Sequence, residues 1–348
     1  MKAVSILTTA VVALLAIAGG DAAKCGVKPS GPSSSPAPMT SSKAPVVAPS
    51  SSPAASVAPA SKPSSAPPTA ADNDVIVPGK NSTSGGAATA AGAKRSSGCG
   101  KPAAIKTGSY KITVNGKQRD YMVRVPQNYD SNKPYRVVFT FHWRGGNMKD
   151  ASTIAGGYYG LEALAKESTI FVSPQGLNAG WANAGGEDIA LVDALVKTID
   201  EGLCVNQGLR FATGFSYGGA MSHSVACSRP DAFRGVAVIA GAGFSGCAGG
   251  TKPIAYLITH GINDNVIPIN MGRQLKDQFL KNNGCQAQNA PEPKPNSGTH
   301  IKTEYKGCSA GHPLIWIPFD GPHTATPMDR GNVQWMPKET WNFFSQFN

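Results

Sequence analysis

Residues 209–228, "LRFATGFSYGGAMSHSVACS", decide how this chain is read. The opening "LRFATG" is short, apolar and aromatic, as in a strand buried on both faces. The closing "YGGAMSHSVACS" is compatible with a helix. Between them lies Gly214-Phe215-Ser216-Tyr217-Gly218, a G-x-S-x-G pattern. The pentapeptide alone also suits an ordinary Gly/Ser turn. With a strand before it and a helix after it, it has the layout of a nucleophile elbow, with Ser216 at a strained turn. Gly214 and Gly218 are expected to let the two backbones approach closely. The helix start points free N–H groups at the serine, so Tyr217 is the expected first main-chain donor to an oxyanion.

Further apolar runs lie at 121–125, 136–142, 169–174, 235–241, 254–261 and 314–321. Helical periodicity falls between them, at 188–199, 271–283 and 338–347. Runs buried on both faces that alternate with helices predict an α/β fold, a mainly parallel sheet with helices on both faces. With the elbow, this is the α/β-hydrolase fold.

A serine hydroxyl needs a base, and in this fold the order along the chain is serine, acid, histidine. Asp264 follows the strand "IAYLITHG", at the sheet end where ligands collect. Asp320 is the rival acid, but it lies three residues from the candidate histidine and also suits a turn cap. Asp264 is preferred because the acid is expected on a separate, earlier strand. Only His300, His312 and His323 come later. His323 follows the strand "LIWIPF", His312 precedes it, and His300 lies in a polar stretch. His323 is therefore the expected base, oriented by Asp264. His142, His223 and His260 are read as structural. The loop in "FTFHWRGGN" (139–147) is expected to give the second oxyanion donor through the main chain of Arg144 or Trp143, Arg144 preferred. None of this chemistry requires a metal or an organic cofactor.

Composition divides the chain. Its 12 Phe, 9 Tyr and 5 Trp all lie at or after Tyr110, so the large apolar side chains of a core are confined to the later part. Residues 1–23, with Lys2 and a short apolar run, read as a secretory signal peptide. Residues 24–98 read as a disordered Ser/Pro/Ala/Thr-rich tail suited to O-glycosylation, with a sequon at Asn81. Residues 99–348 read as the catalytic domain. Six of the seven cysteines lie in this last part, which fits an oxidising compartment and three disulfides. Cys285 and Cys308 bracket a Pro-rich excursion and are paired on that ground, while Cys25 is left over. No C-x2-C pair suggests zinc. The net charge of +11 has no basic run behind it: eight basic and three acidic residues precede Cys99, and 24 and 18 follow. Nucleic acid is not an expected partner, nor is a membrane once the signal is removed.

Several stretches together carry a family resemblance: "HWRGGNM", "GLNAGWANAGGEDI", "ATGFSYGGAMSHSVACSRP", "SGCAGGT" and "HGINDNVIPINMGRQL". Over residues 97–348 the chain resembles secreted feruloyl esterases of the fungal type C group, within the polyhydroxybutyrate depolymerase-like α/β hydrolases. The resemblance implies Ser216, Asp264 and His323 as the triad. It also implies hydrolysis of hydroxycinnamate esters on the arabinoxylan and pectin of plant cell walls. Trp181 matches a tryptophan near the active-site mouth of the wider family. It is expected either to stack on a phenolic ring or to sit in the core. Some relatives carry a cellulose-binding module across a similar linker, and the pattern of that module is missing from this sequence. An acetylxylan esterase or polyester depolymerase would share the scaffold. A non-catalytic wall-binding protein is the alternative outside enzymes.

Overall fold

The computed structural model describes residues 94–348. The signal peptide, most of the tail, Cys25 and Asn81 lie outside the described residues. A nine-stranded sheet organises the rest. In chain order its strands are β1 (Gly108–Val114), β2 (Lys117–Arg124), β3 (Tyr135–Phe141), β4 (Thr169–Pro174) and β5 (Val205–Phe215). They continue with β6 (Gly235–Ile239), β7 (Ala255–Gly261), β8 (Thr303–Glu304) and β9 (Leu314–Phe319). Their spatial order is β1-β2-β4-β3-β5-β6-β7-β9-β8. From β4 to β9 all neighbours are parallel, while β1, β2 and β8 add antiparallel edges. The expected mainly parallel sheet is present, and β5 runs straight into the G-x-S-x-G turn.

Alternation along each strand builds two cores. Val137, Phe139 and Phe141 face one side of β3, and Val138 faces the other. The first side is covered by α3 (Glu187–Gly202), α4 (Tyr217–Ser228) and α5 (Ile269–Asn282), through Leu195, Val225 and Phe279 among others. The second is covered by α1 (Met148–Thr153), α2 (Leu161–Ala165) and α6 (Met336–Ser345), through Ala151, Leu161 and Phe344. Helices thus lie on both faces, as in the α/β-hydrolase fold. A small ribbon, β10 (Met328–Asp329) with β11 (Val333–Gln334), precedes α6.

Three disulfides tie the layers: Cys99–Cys204, Cys227–Cys247 and Cys285–Cys308. The last is the pair read from the sequence. The first closes the longest loop, 105 residues, onto the start of β5. Residues 95–98, assigned by composition to the tail, pack beside it. Arg95 bridges to Asn206, and the Ser96 N–H donates to the Val205 carbonyl at 3.0 Å. Removing Cys99 and Cys204 together should cost about 5 kcal/mol by the loop-entropy argument. Urea unfolding of the Cys99→Ala/Cys204→Ala variant measures it. No helix among the described residues is long and apolar enough to cross a membrane.

Candidate active site

Ser216 sits between the end of β5 and the start of α4 with φ 57° and ψ −118°, a conformation unfavourable for a side chain-bearing residue. The surroundings enforce it. The Ser216 N–H donates to the Ile239 carbonyl at 2.9 Å. The buried Tyr159 hydroxyl donates to the Phe141 carbonyl at 2.7 Å and accepts from the Phe215 N–H at 3.3 Å. The expected crowding is present as well. A Cβ on Gly218 would lie 2.1 Å from the Phe141 carbonyl oxygen, and one on Gly214 would lie 2.5 Å from the Gly218 backbone. Backbone cannot yield as a flexible side chain does. Gly218→Ala should therefore cost about 3 kcal/mol or more, seen as a lower urea midpoint.

Asp264 lies just past β7, as expected. Its Oδ1 accepts the N–H groups of Val266 at 2.9 Å and Ile267 at 2.8 Å. Its Oδ2 accepts from His323 Nδ1 at 2.7 Å. The His323 ring is thereby set in the Nδ1–H tautomer, leaving Nε2 as the bare acceptor. That Nε2 is buried and has no hydrogen-bond partner among the described residues. The ring lies 4.5 Å from that of Phe215, directly before Ser216. The structure thus brings the expected serine, base and acid to one end of the sheet. Asp320 is engaged elsewhere, accepting from Asn263 Nδ2 at 2.9 Å and the Gly298 N–H at 2.8 Å. His300 is held by Asp329 at 2.8 Å, and His312 lies before β9 against Ser309.

His260 does more than fill the core. Its Nε2 donates to the Ile267 carbonyl at 2.7 Å and lies 3.3 Å from Asp264 Oδ2. Gly272 makes the space, since a Cβ there would lie 2.4 Å from His260 Nδ1. Burial pushes the Asp264 carboxyl up, but hydrogen bonds from His260, His323, Ile267 and Val266 outweigh it and hold the pKa at about 2. The folded value is thus below the unfolded value of about 3.9. The resulting stabilisation is complete above the unfolded value and fades as pH falls toward about 2. The gap in thermal midpoint between wild type and Asp264→Asn should narrow between pH 4 and about 2. A gap constant through that window would contradict it.

The candidate oxyanion loop follows β3. Its Gly145 N–H donates to the Ala179 carbonyl at 2.8 Å, and its Gly146 N–H to the Trp143 carbonyl at 3.0 Å. Both glycine donors are occupied, which leaves the main chain of Trp143 and Arg144 for an oxyanion. His142 pins the loop. Its Nδ1 donates to the Trp143 carbonyl at 2.8 Å, and its Nε2 accepts the Gly176 N–H at 3.0 Å. Burial lowers its pKa, keeping the ring neutral as this pattern requires.

Trp181 is in the core, the second of its two expected places. It has no exposed surface, and its ring meets that of Phe141 edge-on at 5.1 Å. Its Nε1 donates to the His142 carbonyl at 2.7 Å. A large ring whose N–H finds a partner inside is most stable buried, so no face remains for a phenolic ring. The cavity at Ser216 is about 680 Å³ and is lined by Tyr217, Arg144, Leu177, Ile267 and two side chains not singled out in the sequence, Phe244 and Val266. Those two are 49% and 64% exposed, unusual for large apolar groups and a sign of a binding surface. They lie on loops after β6 and β7, at the sheet end where ligands collect, which is the one signal the sequence held for them.

No family model matches the chain. Curated relatives do. "Feruloyl esterase D" of Neurospora crassa is 46% identical over 268 residues, covering 74% of this chain and 92% of that protein. "Feruloyl esterase C" of Emericella nidulans is 46% identical over 264 residues, 74% and 94% of the two chains. "Probable feruloyl esterase C" of Aspergillus clavatus is 49% identical over 255 residues, 72% and 90%. Among solved structures, an acetyl xylan esterase from Aspergillus awamori superposes with a TM-score of 0.50 at 19% identity, over 68% of this chain and 99% of that one. That likeness speaks for the fold. The near-complete coverage of relatives at nearly half identity speaks for the family: the chain belongs to the fungal feruloyl esterases of the C and D type, carboxylic ester hydrolases of the α/β-hydrolase fold.

Proposed function

We propose that this protein is a secreted serine esterase that releases ferulate and related hydroxycinnamates from plant cell-wall polysaccharide. The observation that carries this reading is the 46–49% identity to feruloyl esterases across nine-tenths of their length. The site supports it, since Ser216 opens onto a cavity with apolar walls near the His323–Asp264 pair. Ser216 Oγ adds to the ester carbonyl while its proton passes to His323 Nε2. Asp264 holds the ring and stabilises the imidazolium that forms. The main-chain N–H groups of Tyr217 and of Trp143 or Arg144 receive the oxyanion. His323 returns its proton to the departing sugar oxygen, leaving an acyl-enzyme. A water, deprotonated by the same nitrogen, then releases ferulate and restores the serine.

The domain reading is part of this proposal, with its last boundary moved: a signal peptide over 1–23, a tail from 24 to about residue 94, and a catalytic domain that takes in the packed residues 95–98 together with 99–348. The test is hydrolysis of the methyl esters of ferulate, p-coumarate, caffeate and sinapate, beside acetylated xylan and a short polyester. Turnover of the hydroxycinnamates is expected. Activity confined to acetate or to the polyester would overturn the reading.

A further inference from the structure

A second groove of about 620 Å³ continues the cavity at Ser216. The two share Ala182 and Phe244, so Phe244 stands where one passes into the other. Their linings differ. The cavity at the serine includes Arg144, Glu187 and Asp188 in its lining but is mostly apolar, with Leu177, Val266 and Ile267 among its walls, which suits a flat, largely apolar phenylpropenoid. The groove is lined by Asn183, Ser228, Asp193 and Arg229 over small residues such as Gly186 and Ala190. Its charged side chains are that single acid and that single base, paired through two hydrogen bonds of 2.6 Å each. The lining is therefore mixed, polar groups beside small apolar ones, with no net charge.

Phe244 and the groove are fixed relative to the serine. The short turn Gly243–Ser245 carries Phe244. Ser245 Oγ donates to the Trp181 carbonyl at 2.7 Å, and Asn183 Nδ2 donates to the Ser245 carbonyl at 2.9 Å. Two residues on, Cys247 is bonded to Cys227 of α4, the helix that begins directly after Ser216. A ligand joined to Ser216 at one end thus meets this groove in a set position.

We infer that the groove is the subsite for the polysaccharide that carries the ester, and that it takes a neutral chain of the arabinoxylan kind in preference to an acidic one. The inference rests on the feruloyl esterase reading above. An ester at Ser216 has two halves of opposite character. The hydroxycinnamoyl ring occupies the apolar cavity, and the sugar chain extends past Phe244. The half-exposed Phe244 ring offers an apolar face to a sugar ring. The paired Arg229 and Asp193 offer donors and acceptors to hydroxyls without attracting or repelling charge. Energy from contacts remote from the carbonyl is available to the reaction, so the chain should raise kcat/KM.

Ala190 and Ala248 line the groove but not the cavity at the serine. The experiment compares wild type with Ala190→Trp and Ala248→Trp on two esters, methyl ferulate and a feruloylated arabinoxylan oligosaccharide. Filling the groove should lower kcat/KM for the oligosaccharide about tenfold, a loss of about 1.4 kcal/mol in transition-state binding. Methyl ferulate has no chain to place, so its turnover should stay within about twofold, which also shows that each variant is folded. Equal loss on both esters in both variants, or no loss on either, overturns the subsite. Wild type that cleaves neither ester overturns the feruloyl reading and the subsite with it. A feruloylated galacturonan fragment that wild type prefers to the arabinoxylan ester overturns the preference for a neutral chain.

Discussion

Replacing Ser216 with alanine should lower kcat on methyl ferulate by roughly 10⁵- to 10⁶-fold. The nucleophilic oxygen is removed, and neighbouring hydroxyls cannot take its place. Ser222 and Ser224 are buried within α4, and the Ser222 hydroxyl already donates to the Gly218 carbonyl at 3.0 Å. Residual activity should reflect only the oxyanion donors and substrate binding. The fold should survive. Alanine at φ 57° is under the same strain as serine, and Ser216 contributes no side-chain hydrogen bond as a helix cap. Thermal unfolding should therefore stay within about 2 °C of wild type. A loss of less than about tenfold in kcat would mean that Ser216 is not the nucleophile.

Asp264→Asn should be nearly as damaging, lowering kcat by about 10⁴-fold. An amide in place of the carboxylate presents a donor or a weaker, neutral acceptor to His323 Nδ1. The first favours the tautomer in which Nε2 carries the proton and cannot accept one from Ser216, and both stabilise the imidazolium less. The matching change at the rival acid should be mild. Asp320 is held by Asn263 and Gly298, so Asp320→Asn should leave kcat within about threefold and act mainly on local stability. The pair of variants separates the two acids, because the opposite result would move the role to Asp320.

The strands legible in the sequence are mostly those buried on both faces, with the alternating β2 visible only through its apolar end at 121–125. β3, β4, β6, β7 and β9 are unbroken apolar runs, as a parallel sheet under two helical layers requires. β1 was not read, because its residues alternate between exposed and half-buried positions at an antiparallel edge. Its signal was the Asn115-Gly116 turn, where both residues have positive φ. α1 and α2, at six and five residues, are too short to show helical periodicity.

At the candidate site, what chain order and strand ends place is legible in the sequence, and what only the folded packing decides is not. The elbow is contiguous, so its strand, glycines and helix are visible in twenty letters. Asp264 and His323 followed from chain order and strand ends. Trp181 shows the limit. A tryptophan beside glycines in a loop has the same letters whether its ring faces solvent or core, and here Phe141 and the His142 carbonyl capture it. The second contact to Asp264, from His260, was in reach: the two are four residues apart across the end of β7, but only the folded turn brings Nε2 to the carboxylate. For Phe244 the sequence shows only its place after β6, because its exposure depends on the turn that Cys227–Cys247 and Ser245 hold.

Whether Ser216, activated by His323, is acylated by a hydroxycinnamate decides the proposed function. The most direct measurement is covalent trapping with an aryl fluorophosphonate, followed by peptide mapping, with and without methyl ferulate as competitor. One adduct is expected, on Ser216, slowed by methyl ferulate and lost in Ser216→Ala. The rate of labelling should fall steeply in Asp264→Asn and change little in Asp320→Asn. An adduct on another residue, or labelling of Ser216 that methyl ferulate does not slow, would contradict the proposed function.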